Sequence, residues 1–213
     1  MRSFIAIELP ALIQQKVRQR QRQVQEYLAQ RSLADLFNWT AVEKVHLTLR
    51  FLGETDQRQA AALPAALKKV AQQSSPLALS LAGLGCFPNT RQPRIIWLGM
   101  QGNLAALLAL QTRIEAQAQT LGFAPETRPF SPHLTIARLQ RNAPRPSLAG
   151  AGQAIQSLAA DSAFADHDDP FVVQSFTWMR SELLPQAARY TPLLQVGLAP
   201  GSPLEGQVGR ESE

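Results

Sequence analysis

Cysteine occurs once in the 213 residues, as Cys86, which excludes an internal disulfide framework and suits a reducing compartment. No apolar run is long enough to span a bilayer. The opening Met1-Arg2-Ser3-Phe4-Ile5-Ala6-Ile7 briefly imitates a signal peptide, but Glu8 and Pro10 interrupt it and no small-residue cleavage site follows. It reads as a first strand, and the expected location is the cytoplasm. A P-loop, a Rossmann glycine fingerprint and a Gly-x-Ser-x-Gly elbow are all missing. So are the ligand spacings of a zinc site, and neither metal nor cofactor is expected. Negative charge is scarce in the middle of the chain. Residues 61–160 hold nine Lys/Arg against Glu115 and Glu126, whereas residues 161–213 hold three Arg against eight Asp/Glu.

Histidine is scarce too, with three residues, yet two of them recur in one setting: His46-Leu47-Thr48-Leu49 and His133-Leu134-Thr135-Ile136. In a strand, alternation sends His and Thr to one face and the apolar pair to the other. Two such strands face to face would bring two imidazoles and two hydroxyls together. With an unperturbed pKa of roughly 6.5, one imidazole can be neutral while another is protonated near neutral pH. One then takes a proton from an attacking water and the other gives one to a leaving alkoxide, the two transfers that phosphodiester hydrolysis needs. The hydroxyls, helped by an arginine, would hold the non-bridging oxygens, and the scheme requires no metal. The basic middle segment favours an anionic substrate such as RNA, although a solvated basic face accounts for the same charges. The third histidine, in Asp166-His167-Asp168-Asp169, reads as an acidic turn before Pro170 rather than a metal cluster. Cys86, and the tryptophans Trp39, Trp97 and Trp178, read as structural.

Periodicity sets out the elements. Strands are expected over Phe4–Leu9, His46–Leu52, Leu77–Leu84, Arg94–Leu98 and Phe130–Leu139, with a closing pair over Phe171–Met179 and Tyr190–Leu198. Helices are expected from about Ala11 to Ala29, from an Asp56 cap to about Ala71, and from an Asn103 cap to Leu121, ended by Gly122. Pro64 is expected to kink the second helix or reset its start. Asn142 to Ala160 reads as a loop or small insertion, its 147–160 stretch being rich in Ala and Gly. The architecture expected is α+β: a two-lobed pseudo-symmetric fold over 1–198, with mixed or antiparallel sheets flanking a central cleft and helices outside. Residues 199–213 read as a poorly ordered tail, and the chain as a monomer.

The chain resembles the 2H phosphoesterase superfamily, and within it the bacterial and archaeal RNA 2′,3′-cyclic phosphodiesterases first described as 2′-5′ RNA ligases. The resemblance lies in the two His-x-Thr-x motifs with their surroundings, His46 to Glu54 and Arg128 to Arg138. Arg2 to Ile7, Pro93 to Gly99, Arg180 to Leu183 and Tyr190 to Leu193 extend it in the same order. The Ala41 to Val45 run departs from the Pro-Glu-Asn-like run common before the first motif. The resemblance implies opening of a 2′,3′-cyclic phosphate at an RNA end, tRNA fragments among the candidates, to leave a 2′-phosphate without metal or ATP. Run in reverse, the reaction joins ends through a 2′-5′ linkage. It further implies His46 as proton donor, His133 as proton acceptor, and Thr48 and Thr135 as phosphate ligands. Arg138 matches an arginine that serves the phosphate in relatives, yet strict alternation sets it opposite His133, so either a bulge or strand end re-aims it or it is structural. Arg50 shares the parity of His46 and is a candidate substrate contact or a rim charge. Two other readings stay open: a phosphodiesterase of small cyclic nucleotides or ADP-ribose cyclic phosphates, and a non-catalytic RNA-end or nucleotide binder.

Overall fold

The computed structural model describes residues 1–144, 146–161, 164, 170–183 and 188–199. His167 and its acidic neighbours, and the expected tail from residue 200 on, lie outside them. The strands are β1 (Arg2–Glu8), β2 (Phe37–Trp39), β3 (His46–Glu54), β4 (Leu77–Phe87), β5 (Ile95–Gly102), β6 (His133–Leu139), β7 (Phe171–Val173), β8 (Ser175–Leu183) and β9 (Ala188–Gly197). The helices are α1 (Ala11–Ala29), α2 (Gln57–Gln72), α3 (Leu104–Thr120) and α4 (Pro146–Ala159).

Capping side chains fix the starts of α2 and α3 as the sequence indicates. The Asp56 carboxylate accepts from the Gln59 N–H at 2.7 Å while the Gln59 side chain accepts from the Asp56 N–H at 3.1 Å, a reciprocal capping box worth about 1 kcal/mol. Asn103 caps α3 by accepting from the Ala106 N–H at 3.0 Å. Pro64 does not reset the start of the helix, and α2 runs through it as one element. Burial of Leu63, Leu67, Val70 and Ala71 along one stripe offsets the roughly 3 kcal/mol that an interior proline costs.

The stretch expected as a loop is instead α4. Its Leu148, Ala151, Ala154, Ile155 and Leu158 are buried at helical spacing, a period that the intervening Gly and Ser conceal. Gly152 serves close packing, because a Cβ there would stand 1.6 Å from the Thr90 carbonyl oxygen. Gly152→Ala is therefore expected to lower stability by about 1–3 kcal/mol, measured by urea unfolding, even though alanine is the better helix former.

Every strand pair among the described residues is antiparallel, which narrows the expected mixed or antiparallel sheet to the second kind. The order along the sheet is β7-β4-β5-β6-β3-β1-β8-β9, with β2 added beside β6. One lobe, β6-β5-β4-β7, is contributed by the middle of the chain; the other, β3-β1-β8-β9, gathers strands from both ends. The lobes join at the centre through β3 and β6, whose register carries one Cα pair, Leu47 with Leu134. Only Gln174 separates β7 from β8, although these lie far apart in hydrogen-bond order, so the sheet must curl. Helices pack in pairs, α1 with α4 and α2 with α3, against the face that carries Ile5, Ile7, Leu47, Leu134 and Ile136. The opposite face is the cleft, where Phe4, Ala6 and Met179 form a small apolar cluster with Tyr190.

Candidate active site

Both His-x-Thr-x strands sit at the lobe junction. Leu47 and Leu134 are 1% and 0% exposed, so each motif is anchored from behind while its His and Thr, all half-buried, look into the cleft. Extending the antiparallel register by one residue either side of the Leu47–Leu134 pair sets His46 towards Thr135 and His133 towards Thr48. A pseudo-two-fold axis thus passes through the leucine pair, and each histidine occupies the cross-strand position of the other copy's threonine.

The rings are oriented alike. His46 Nδ1–H donates to the Lys44 carbonyl at 2.8 Å, and His133 Nδ1–H donates to the Ser131 carbonyl at 2.7 Å. A carbonyl only accepts, so the proton belongs on Nδ1 in both rings and each Nε2 is left for the cleft. Phe4 stacks on His46 at 4.8 Å and Tyr190 meets its edge at 5.2 Å. Phe87 lies edge-on to His133 at 4.9 Å, with Trp97 tilted beside it at 6.5 Å. Trp97 fits because its strand partner is Gly85, where a Cβ would stand 2.3 Å from the indole. Trp97 therefore borders the site, whereas Trp178 is buried in the core and Trp39 is half-buried against it.

Burial pushes both histidines below their ordinary value. In each, the bond to a backbone carbonyl opposes the shift and the charge of Arg138 adds to it. Arg138 thus acts on both rings at once, and a bulge explains how. In the β5–β6 register Trp97 pairs with Thr135 and Ile96 with Ala137, so Ile136 is the extra residue and the parity of everything after it reverses. Arg138 is carried to the His133 face.

The same bulge in β3 overturns the expectation for Arg50. Ala6 pairs with Thr48 and Ile5 with Arg50, leaving Leu49 as the extra residue. Arg50 turns away from the cleft and is 7% exposed, ion-paired through Nε to the Glu115 carboxylate of α3 and donating to the Phe51 and Ala124 carbonyls. These partners hold its cation on the helix side of the sheet rather than at the cleft rim. Phe51 takes the cleft position instead, 52% exposed and 6.1 Å from the Phe4 ring. Phe51 and Arg138 are therefore equivalent by the pseudo-two-fold, an aromatic in one lobe and a cation in the other.

Cys86 is half-buried, and burial pushes its thiol up, away from the reactive thiolate. Among the described residues no three His, Cys, Asp or Glu side chains gather as a metal site would require, and no helix is long and apolar enough to cross a membrane.

The model of LigT-like phosphoesterases matches the chain twice, over residues 12–97 and again over 98–190. The chain belongs to the LigT-like phosphoesterase family. The paired match agrees with the pseudo-symmetry, one copy to each His-Thr strand. A protein of Methanothermobacter thermautotrophicus named RNA 2′,3′-cyclic phosphodiesterase is 27% identical over 193 residues, 91% of this chain and 96% of that one. One of the same name from Geobacillus stearothermophilus is 43% identical over 100 residues, but the match spans only 47% of this chain and 32% of that protein. Among solved structures, Escherichia coli LigT complexed with 3′-AMP superposes with a TM-score of 0.65 at 27% identity, covering 92% of this chain and 97% of that one. The LigT-like architecture is thus an α+β fold whose curled antiparallel sheet holds both motifs at its centre.

Proposed function

We propose that this LigT-like phosphoesterase hydrolyses RNA 2′,3′-cyclic phosphate ends to 2′-phosphomonoesters by two-histidine acid–base chemistry. The observation that carries the reading is the pair of Nε2 atoms, each freed by an Nδ1–H bond to a backbone carbonyl and each presented with a threonine at the junction of the lobes. In this scheme a water attacks phosphorus and gives its proton to His133 Nε2. The P–O3′ bond breaks, and His46 Nε2 donates a proton to the departing 3′ oxygen. Thr48, Thr135 and Arg138 hold the phosphate oxygens and offset the charge gained in the transition state. Burial and the Arg138 charge, which disfavour a proton on His133, suit its part as the base, since only a neutral imidazole can accept the water's proton. No step calls for a metal. The reverse reaction would join RNA ends through a 2′-5′ linkage.

The names of the relatives support the substrate class, and the basic middle segment supports a polyanion over a small nucleotide. The test is an RNA oligonucleotide ending in a 2′,3′-cyclic phosphate, incubated in excess EDTA, with the product resolved as 2′- or 3′-phosphate. A 2′-phosphate formed at the rate seen without chelator is expected. A 3′-phosphate would reverse the assigned bond cleavage, and loss of activity in EDTA would point to metal chemistry. Faster turnover of a cyclic mononucleotide than of the oligonucleotide would favour the small-molecule reading, and tight binding with no product would favour the non-catalytic one.

A further inference from the structure

The two motifs are nearly equivalent by symmetry, but their immediate neighbours are not. In the β1–β3 register the Cα partner of His46 is Glu8; in the β5–β6 register the partner of His133 is Gly99. The Glu8 carboxylate accepts from the Thr177 hydroxyl at 2.6 Å. Thr177 lies on β8, opposite Ala6, and is fully buried, so a fixed donor holds one carboxylate oxygen at the cleft end of β1. The second lobe has no room for the same device, because a Cβ at Gly99 would stand 2.5 Å from the Ala82 carbonyl oxygen.

We propose that Glu8, held by Thr177, is a positioning residue whose negative charge favours the proton on His46 over His133, and so makes His46 the acid of the reaction proposed above. The inference rests on that reading for its catalytic consequence, though not for the charge effect itself. The groups around His46 sort accordingly. From β6, Arg138 and His133 oppose a proton on it, while from β1, Glu8 favours one. From β9, Tyr190 presents an uncharged ring edge. The Lys44 ammonium, just before β3, is turned to the Ala188 carbonyl at 3.1 Å. Arg180 and Glu182 of β8 alternate away from Thr177 and Met179 and pair with each other. Arg138 acts on His133 as well, with no carboxylate among the described residues to answer it. A carboxylate beside one ring and a glycine beside the other divides two otherwise matched imidazoles into acid and base.

The test compares the wild-type chain with Glu8→Gln, Glu8→Asp and Thr177→Val in two ways. NMR titration of the imidazoles without substrate, assigned with His46→Ala and His133→Ala, reads the charge effect directly. Glu8→Gln, which can still accept from Thr177, is expected to move the His46 titration to lower pH and leave that of His133 in place. Glu8→Asp retains the wild-type direction, and Thr177→Val moves His46 the same way as Glu8→Gln but less. In turnover of the cyclic-phosphate oligonucleotide, Glu8→Gln is expected to move the alkaline limb of kcat to lower pH. It should lower kcat above neutrality about 3- to 10-fold with KM unchanged. A His46 titration that Glu8→Gln leaves unmoved, or an equal movement of both rings, overturns the inference. If the wild-type chain fails to turn over the substrate while the selective NMR shift appears, the proposed reaction falls and the Glu8–His46 coupling stands.

Discussion

Replacing either His46 or His133 with alanine is expected to lower kcat on an RNA 2′,3′-cyclic phosphate by about 10²–10⁴-fold. Each imidazole presents a single free nitrogen to the cleft, and a methyl group can neither take nor give the proton. Removing both should cost little more than removing one, because acid and base act in the same displacement and their losses do not add. The fold should survive, since the core is anchored from the opposite face by Leu47 and Leu134. Circular dichroism melts and single-turnover rates together check this. Near-wild-type rates in both single variants would remove the two-histidine mechanism altogether.

The largest expected effect on stability lies away from the cleft, at Arg50. Arg50→Met leaves the Glu115 carboxylate, 16% exposed, without its cation, and leaves the Phe51 and Ala124 carbonyls without their donor. Breaking one side of a buried pair costs about 3–5 kcal/mol, which for a chain of this size lowers Tm by roughly 6–20 °C. The double variant Arg50→Met with Glu115→Leu should recover much of the loss, because the uncompensated charge is then gone. The pair also has a pH signature. Burial raises the Glu115 carboxyl, but hydrogen bonds from Gln119 and the Glu126 N–H, together with the Arg50 charge and its bond, outweigh that and hold it below the ordinary value of 4.5. A carboxyl depressed in the folded state stabilises it above that ordinary value and loses the contribution as pH falls through the folded one. Acid should therefore destabilise the wild-type chain more than Arg50→Met, a difference that urea midpoints measured from pH 6 down to pH 3 would reveal.

Much of this was legible in the order of residues. Asp56 and Asn103 announced two helix starts, and the doubled His-x-Thr-x pattern marked the two central strands. What the sequence misjudged came from places where one rule gave way to another. Period-two alternation is blind to bulges, so it set Arg50 on the wrong face and could place Arg138 in the cleft only through a break in the pattern, and a one-residue bulge in each strand re-aims both. In α4, Gly152 looks like a loop residue because the need for close packing against Thr90 is a property of the partner, not of the helix. Glu8 closes its strand as an exposed carboxylate, and nothing in its sequence neighbourhood points to a role. Its meaning depends on His46 and Thr177, far away in sequence and adjacent only across the sheet. The three-residue strand β2 is too short to carry any period.

The order of strands also bears on how the two repeats depend on each other. Each begins with a strand, a helix and a His-Thr strand: β1, α1, β3 and β5, α3, β6. The strand that follows the first set, β4, pairs with β5, and β8, following the second, pairs with β1. Each repeat thus lends a strand to its counterpart, in the manner of an exchanged arm fused within one chain. Cut between Phe87 and Ile95, neither fragment retains the neighbour that covers its first strand, and each is left with an open edge matching what the other carries. The repeats are bound into an obligate partnership, and the cleft between them exists only while both are present.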